Sequence, residues 1–515
     1  MKDQLKRLGM IALVLAIAAT AAGCGKASQK QAGKGQKMEV SVSMFDRGKV
    51  STAEGSYTEN RWTKWINEQT GINVTWIPVP RNESTQKLST MIAAGQAPDI
   101  IWEFDRTFFT TLIEQGVIQP VDELVEKYST TYKDYINTNS DLKQYISYDN
   151  KMYAAPCRRS MEATANHAMW IRQDWLDKLG LKVPATDEEA IEVAKAFAKN
   201  DPDGNGVADT YGFALMQWQE MLPALYQANV LWYLEDGKMK YGPTLDRYAD
   251  YLDFFKKLYD QKLIDPEFFT DKTFQSQKQL WVTGKAGILT NNWQEQLNKE
   301  LLANDPNAKP VPLEPFATKY GKNGQWQETV VSKYIMFNKD LKNPEAAVKM
   351  LDFMTTEKAW KTLLNGNEGE HYNNVDGIPV KIDADKFDRE VAYANEYALL
   401  SLQDVKAEWY PKMAAQDERS QELARQRGAG LNNALKNKFR RDLPFDPITP
   451  EISKILTEFL PKRDEIRMKV VTGGAEFSPK WGMEQIKSEW ARLGGAEAEA
   501  AADKWYEKNK GLFSK

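Results

Sequence analysis

From Met38 to Trp102, short apolar runs alternate with amphipathic helical stretches, and this alternation limits the fold more than any other feature of the chain. MEVSVSMF (38–45) and INVTWIPV (72–79) read as strands, and Ile100-Ile101-Trp102 is short and continuously apolar, as expected of a strand buried on both faces. Between them, Arg61–Gln69 gathers Trp62, Trp65 and Ile66 on one face and stops at Gly71, and Glu83–Ala94 gathers Leu88, Met91 and Ile92 before Gly95. A βαβαβ order predicts a parallel sheet with right-handed crossovers, so the three strand ends share one rim. The expected fold class is α/β.

Open α/β sheets bind ligands beyond the carboxyl ends of their strands. The first strand delivers Asp46 to that rim, and the third delivers Trp102 followed by Glu103, Asp105 and Arg106. An indole covers the apolar face of a pyranose while a carboxylate and a guanidinium hydrogen-bond its hydroxyls, so this grouping suits a carbohydrate. The same residues equally suit a structural loop in which Asp105 and Arg106 pair with each other.

With 515 residues the chain is too long for one core, and two domains are expected. Basic and acidic residues number 68 and 72, for a net charge of −4, which leaves no basic footprint for nucleic acid. The 16 Trp and 21 Tyr fit a large core and also a surface that stacks on sugars.

Lys2, Lys6 and Arg7 precede an apolar run, Leu8–Ala22, too short to span a bilayer comfortably, and small residues lead to Cys24. This resembles a bacterial lipoprotein signal, 1–23, with lipid attached at Cys24 and a polar tether over 24–37; two or more acyl chains suffice for stable anchoring. The tether would reach roughly 45 Å at most. Cys157 then remains alone, so no intrachain disulfide forms. With His167 and His371 the only histidines, an inert half-buried thiol is expected there rather than a nucleophile with its base.

Asp201-Pro-Asp203-Gly-Asn205-Gly206-Val207-Ala-Asp209 places oxygen ligands at positions one, three and five, a backbone carbonyl at seven, a carboxylate at nine and Gly at six, the spacing of an EF-hand loop. Three carboxylates so close need neutralising, and Ca²⁺ does this outside the cell. Position twelve is Gly212 rather than a bidentate Glu, so Asp209 or water must complete the shell. The expected role is structural; the other reading is a polar turn. Glu368, Glu370 and His371 fit no zinc spacing.

APDIIWEFDR, followed by EQGVIQPVDEL, resembles the bacterial extracellular solute-binding proteins of ABC importers, in particular the maltose-binding type, and YDNKMYAAP (148–156) and GKAGI…NNW (284–293) resemble further segments of that family. The resemblance implies a two-lobed periplasmic-binding-protein-like fold, each lobe a mainly parallel sheet flanked by helices, joined by a hinge. Lobes are expected over 38–165 with 315–365 and over 166–314 with 366–515. It also implies sugar contacts from Trp102, Asp105, Arg106, Tyr153, Trp293 and Trp409, with Asp46 beside them. Some oligosaccharide-binding members carry a calcium loop where 201–209 falls. The GNEGEHYNNVDGIP segment (366–379) resembles one found in long Gram-positive members, and VPLEPF (311–316) resembles a hinge strand.

The implied function is a lipid-anchored receptor on the outer face of the cell membrane. It would be a monomer without catalytic residues, capturing an oligosaccharide by hinge closure and handing it to the permease subunits of an importer. Arg158 and Arg159 favour a uronate or form a solvated pair. A secreted glycoside hydrolase is the alternative, and it would need two carboxyls flanking one bond, for which only Glu103 with Asp105, or Glu368 with Glu370, lie close in sequence.

Overall fold

Two mixed sheets, described by a computed structural model over residues 38–512 apart from 217–219, 272–273, 293–294, 332, 415 and 448, organise the chain. The signal and tether with Cys24, and Trp293, lie outside the described residues. In chain order the strands of the two sheets are β1 (Met38–Asp46), β2 (Ile72–Pro80), β3 (Ile100–Glu103), β4 (Ile118–Gln119), β5 (His167–Arg172), β6 (Tyr211–Ala214), β7 (Ala286–Asn292), β8 (Pro310–Pro312) and β9 (Tyr334–Asn338). The first sheet has the order β2-β1-β3-β9-β4 and the second β8-β5-β7-β6.

β1 and β3 are parallel, as the alternation predicts, while β9 enters antiparallel between β3 and β4. In the second sheet β7 runs parallel to β6 but antiparallel to β5, and β8 is antiparallel to β5. The sheets are therefore mixed rather than mainly parallel. Val42, Ile100, Ile101 and Phe337 are fully buried in the first sheet, and Ile171, Phe213 and Ile288 in the second, consistent with strands covered on both faces.

Local chemistry sets the helix limits. α1 (Arg61–Thr70) is capped by Asn60, whose side chain accepts from the amides of Trp62 and Thr63, and ends on Gly71 at φ 68°, where a side chain would be strained. α2 (Ser84–Ala93) and α3 (Arg106–Glu114) follow β2 and β3. In the second half come α4 (Gln173–Leu179) and α5 (Asp187–Lys199), the latter capped by Thr186 at 3.2 Å from the Glu189 amide. Asn343 caps α6 (Pro344–Thr355), and α7 (Glu357–Asn365) follows it. These starts match the sequence signals for a cap with Pro or Glu in the first turn.

Two crossings between the sheets run side by side: Ala155 N–H donates to Ile335 O, Arg159 N–H to Val330 O and Glu328 N–H to Thr164 O, each at 2.8 Å. Tertiary contacts move two expected boundaries. Residues 315–328 stay with the second sheet, where Phe316 joins its core, Asn323 Nδ2 donates to Ala224 O and Gln325 to Leu313 O. VPLEPF thus begins as edge strand β8 rather than as a hinge. Residues 366–400, expected in the second lobe, pack on the first: Trp62 Nε1 donates to Glu390 O at 2.7 Å, Asn60 Nδ2 to the Tyr397 hydroxyl at 2.6 Å, and Glu396 pairs with Arg47 at 2.6 Å. The long helices Glu418–Lys436, Pro450–Thr472, Pro479–Arg492 and Gly495–Asn509 complete the second half. No described helix is long and apolar enough to cross a membrane.

Candidate functional site

The C-terminal rim of the first sheet carries Asp46, Trp102, Asp105 and Arg106, but the structure engages them differently from one another. Asp46, half-buried at the end of β1, accepts from the Gly48 amide at 2.8 Å and shapes the turn that follows. Trp102 is 2% exposed. Phe45 lies 4.4 Å from it between ring centroids, Phe104 meets it edge-on at 5.4 Å, and the Lys333 ammonium sits 4.4 Å from its centroid. In this conformation the indole face expected to stack on a sugar is already covered. Its buried Nε1–H has no hydrogen-bond partner among the described residues.

Asp105 is the N-cap of α3, accepting from the Phe108 amide at 2.9 Å. Arg106 donates to Tyr145 O at 3.0 Å and lays its guanidinium 4.6 Å from the Phe445 ring centroid. The two are committed separately, so the internal Asp–Arg pair read as an alternative does not form. Phe445 packs on Tyr145 at 4.8 Å and on Trp505 at 5.4 Å, and its neighbour Asp446 accepts from the Trp232 amide. Arg106 therefore reaches from the first lobe onto an aromatic cluster of the second. Burial raises the Asp446 pKa.

Tyr153 is half-buried beside Tyr148, 6.3 Å between centroids. Trp409, in the turn Ala407–Trp409, faces a groove of about 110 Å³ shared with Trp360, Tyr372 and Gln403, whose lining does not include Trp102. The expected sugar contacts therefore do not converge on one spot among the described residues. Arg158 and Arg159 are also occupied: Arg158 holds Asp141 through two 2.7 Å contacts, and Arg159 faces Glu328 at 3.7 Å, which in turn bonds His167 at 3.1 Å.

Sequence reasoning missed Lys333. It follows the second crossing, donates to Ala398 O at 2.7 Å, and forms no ion pair within 4 Å among the described residues. Burial, opposed by Cys157 and Glu396, pushes its pKa down to about 8. Nothing within a few residues of VSKY announces that its ammonium meets Trp102. Cys157 is buried and its thiol donates to Ser401 O at 3.4 Å, burial pushing its pKa up, which fits an inert thiol.

The 201–209 loop folds around its first residue. Asp201 accepts from the Asn205 amide at 3.0 Å and the Gly206 amide at 3.1 Å, and Gly206 sits at φ 78°. The Asn205 side-chain carbonyl accepts from Val207 N–H at 2.7 Å. Asp203 and Asp209 each lie 2.8 Å from the Lys285 ammonium. Lys178 donates to the carbonyls of Asp201 and Pro202, at 3.2 and 2.9 Å. Hydrogen bonding to Lys285 holds the Asp209 carboxyl below the usual range. The donor set of Asp201, Asp203, Asn205, Asp209 and the Val207 carbonyl fits a hard cation that prefers oxygen ligands.

A second grouping of ligand atoms, Glu370, His371 and Glu390, lies within 4.8 Å. Its charges are met by the chain itself. Arg61 reaches Glu390 at 2.8 Å, Lys386 reaches Glu370 at 3.3 Å, and the His371 Nδ1 accepts from the Asn367 amide at 3.0 Å.

Residues 49–359 match the model of the bacterial extracellular solute-binding proteins. Lipoprotein LipO of Bacillus subtilis (strain 168) is 25% identical over 514 residues, 95% of this chain and 96% of that protein. The polygalacturonan/rhamnogalacturonan-binding protein YtcQ of the same organism is 28% identical over 383 residues, 71% and 74% of the two chains. Among solved structures, the S. pneumoniae ABC-transporter substrate-binding protein FusA in complex with kestose superposes with a TM-score of 0.74 at 19% identity, covering 92% of this chain and 99% of that one. An EF-hand mutant of FusA in complex with fructo-nystose gives 0.71 at 18% identity, covering 92% and 99%. The two-lobed architecture is thus that of sugar-binding proteins of this type. The chain belongs to the bacterial extracellular solute-binding protein family.

Proposed function

We propose that this protein is an extracellular oligosaccharide receptor of an ABC importer, binding by closure of its two lobes and delivering its ligand to permease subunits without breaking a bond. The observation that carries this reading is the junction where Arg106 of the first lobe lies on Phe445 of the second, beside a rim holding Trp102 and Lys333. A ligand that displaces such contacts and bridges both lobes biases an open-closed equilibrium about the paired crossings. Asp46, Trp102, Arg106, Tyr153, Trp293 and Trp409 are the proposed contacts, with Asp105 positioning Arg106 through its cap. Binding at Trp102 requires Lys333 to leave the ring.

Lys333 and Arg106 feel the carboxylates of Glu396 and Asp446 but form no ion pair within 4 Å among the described residues, and this supports an acidic sugar, such as a uronate, better than Arg158 and Arg159 do. The relative YtcQ, a polygalacturonan/rhamnogalacturonan-binding protein, points the same way. Anchoring through lipidated Cys24 at the outer face of the membrane follows from the signal-like first 23 residues and is supported by the relative named a lipoprotein. We take the 201–209 loop as a weak structural Ca²⁺ site. The carboxyl pair Glu103 and Asp105 considered for hydrolysis is engaged by backbone amides, Glu103 by Phe104 N–H at 2.7 Å and Asp105 by Phe108 N–H, which supports a receptor over a hydrolase.

Thermal shift with fructo-oligosaccharides, maltodextrins and oligogalacturonates, with product analysis on the same samples, tests this. A receptor gains about 2.7 kcal/mol at a hundredfold excess over Kd and releases nothing. Shortened products would establish the hydrolase, and silence across the panel would end the carbohydrate reading.

A further inference from the structure

The carboxylates of the 201–209 loop already have a cation. Lys285 immediately precedes β7, and its ammonium lies 2.8 Å from both Asp203 and Asp209. Asn205 Nδ2 donates to the same two carboxylates at 2.9 and 3.2 Å. A calcium ion gathers six to eight oxygens at about 2.3–2.6 Å, so an ammonium bonded to two of these carboxylates and a Ca²⁺ ion bonded to the same pair exclude each other by charge and by space.

The twelfth loop position sharpens the point. An EF-hand loop places a bidentate Glu there, but a Cβ on Gly212 would lie 2.4 Å from the Ala194 Cβ, so β6 and α5 pack too closely for any side chain. Thr210, nearer the cage, is buried and turns its hydroxyl to Phe197 O at 2.7 Å. The loop thus lacks the bidentate carboxylate that the motif places at position twelve, and it holds a positive charge of its own among its carboxylates.

We propose that Lys285 is a tethered cation: it keeps the loop closed when calcium is scarce and must swing out before calcium enters, the two being alternative occupants of one oxygen cage. This rests on the reading of 201–209 as a calcium loop. The lysine stem carries four rotatable bonds and its side chain is 29% exposed, so the ammonium can move to solvent without unfolding β7. The loop then needs no metal to fold, and its calcium affinity is set by competition with an internal charge.

The test is a calorimetric Ca²⁺ titration of the full chain, paired with melting curves in EDTA and in calcium, for wild type, Lys285→Met and a control, Lys199→Met, which removes the same charge near the loop without emptying the cage. Lys285→Met should bind calcium about tenfold more tightly or better, the equivalent of losing at least one charge-assisted hydrogen bond, and Lys199→Met should change affinity less than about threefold. In EDTA, Lys285→Met should melt earlier than wild type, and calcium should restore it. Equal affinity in wild type and Lys285→Met overturns the proposal and leaves the calcium loop standing; no binding by either overturns both. Should Lys285→Met fail to fold in EDTA and in calcium alike, Lys285→Gln is read by the same criteria.

Discussion

The 201–209 loop and the Glu370–His371–Glu390 grouping are both carboxylate clusters, and they differ in where their hydrogen bonds come from. In the loop one continuous stretch turns its own amides onto Asp201, and the remaining carboxylates point to a common centre held by Lys285. In the other cluster Glu370 and His371 are chain neighbours and Glu390 follows 19 residues later, and the imidazole is committed on both sides, Nδ1 to the Asn367 amide and Nε2 to Glu390 at 3.3 Å. His371 is 1% exposed. Proximity of ligand atoms is common to both; only the loop leaves a centre from which a single flexible cation can withdraw.

The comparison breaks most easily at Arg61, which binds Glu54 through two 2.7 Å contacts and Glu390 at 2.8 Å. Arg61→Met should cost about 2 kcal/mol in chemical denaturation, less than a fully buried pair because Arg61 keeps partial exposure; a loss under about 0.5 kcal/mol would mean the cluster is not held by its internal charges. Acid should expose the same dependence. Burial raises the Glu390 pKa, but His371, Arg61 and Lys386 outweigh it and hold the carboxyl below its usual range, as Asn367 and Lys386 do for Glu370. Carboxyls with depressed folded pKa values stabilise fully above their unfolded value, near 4.3, and that stabilisation disappears as pH falls through the folded value. Melting curves between pH 6 and 3 should therefore show a steeper acid limb in wild type than in Arg61→Met.

A smaller effect is expected at the loop. EDTA should lower the wild-type Tm by about 1–3 °C, and Asp203→Ala should abolish the difference between EDTA and calcium; a melt unchanged by EDTA in both wild type and Lys285→Met would remove the calcium site. The smallest effect is none: zinc at micromolar concentration should leave the melt of Asp203→Ala unmoved, because the Glu370–His371–Glu390 ligands are already paired. A zinc-dependent rise abolished by Glu390→Gln would reverse that view of the cluster.

Much of the scaffold could be read directly from the residues. β1, β2, β3, α1 and α2 fall within a residue or two of the expected runs, and Thr186 and Asn343 cap α5 and α6 with their own side chains. Each is governed by contacts within a few positions. The placement of 366–400 on the first lobe was not legible, because it depends on Trp62 and Asn60 meeting Glu390 and Tyr397, more than three hundred residues away. The rim shows the same division. The positions of Trp102, Asp105 and Arg106 after β3 follow from the strand, whereas the covering of the indole by Lys333 and the seating of Arg106 on Phe445 belong to the packed chain.

The sequence by itself determined the α/β alternation, the helix limits and the presence of a loop with oxygen donors at EF-hand spacing, since backbone preference, capping and hydrophobic period act over one or two turns. Only the tertiary structure decided which cation faces which carboxylate: Lys285 comes to Asp209 across 76 residues. Electrostatic pairing depends on distance in space, and in a chain with 68 basic and 72 acidic residues many pairings have the same local signature until packing selects among them.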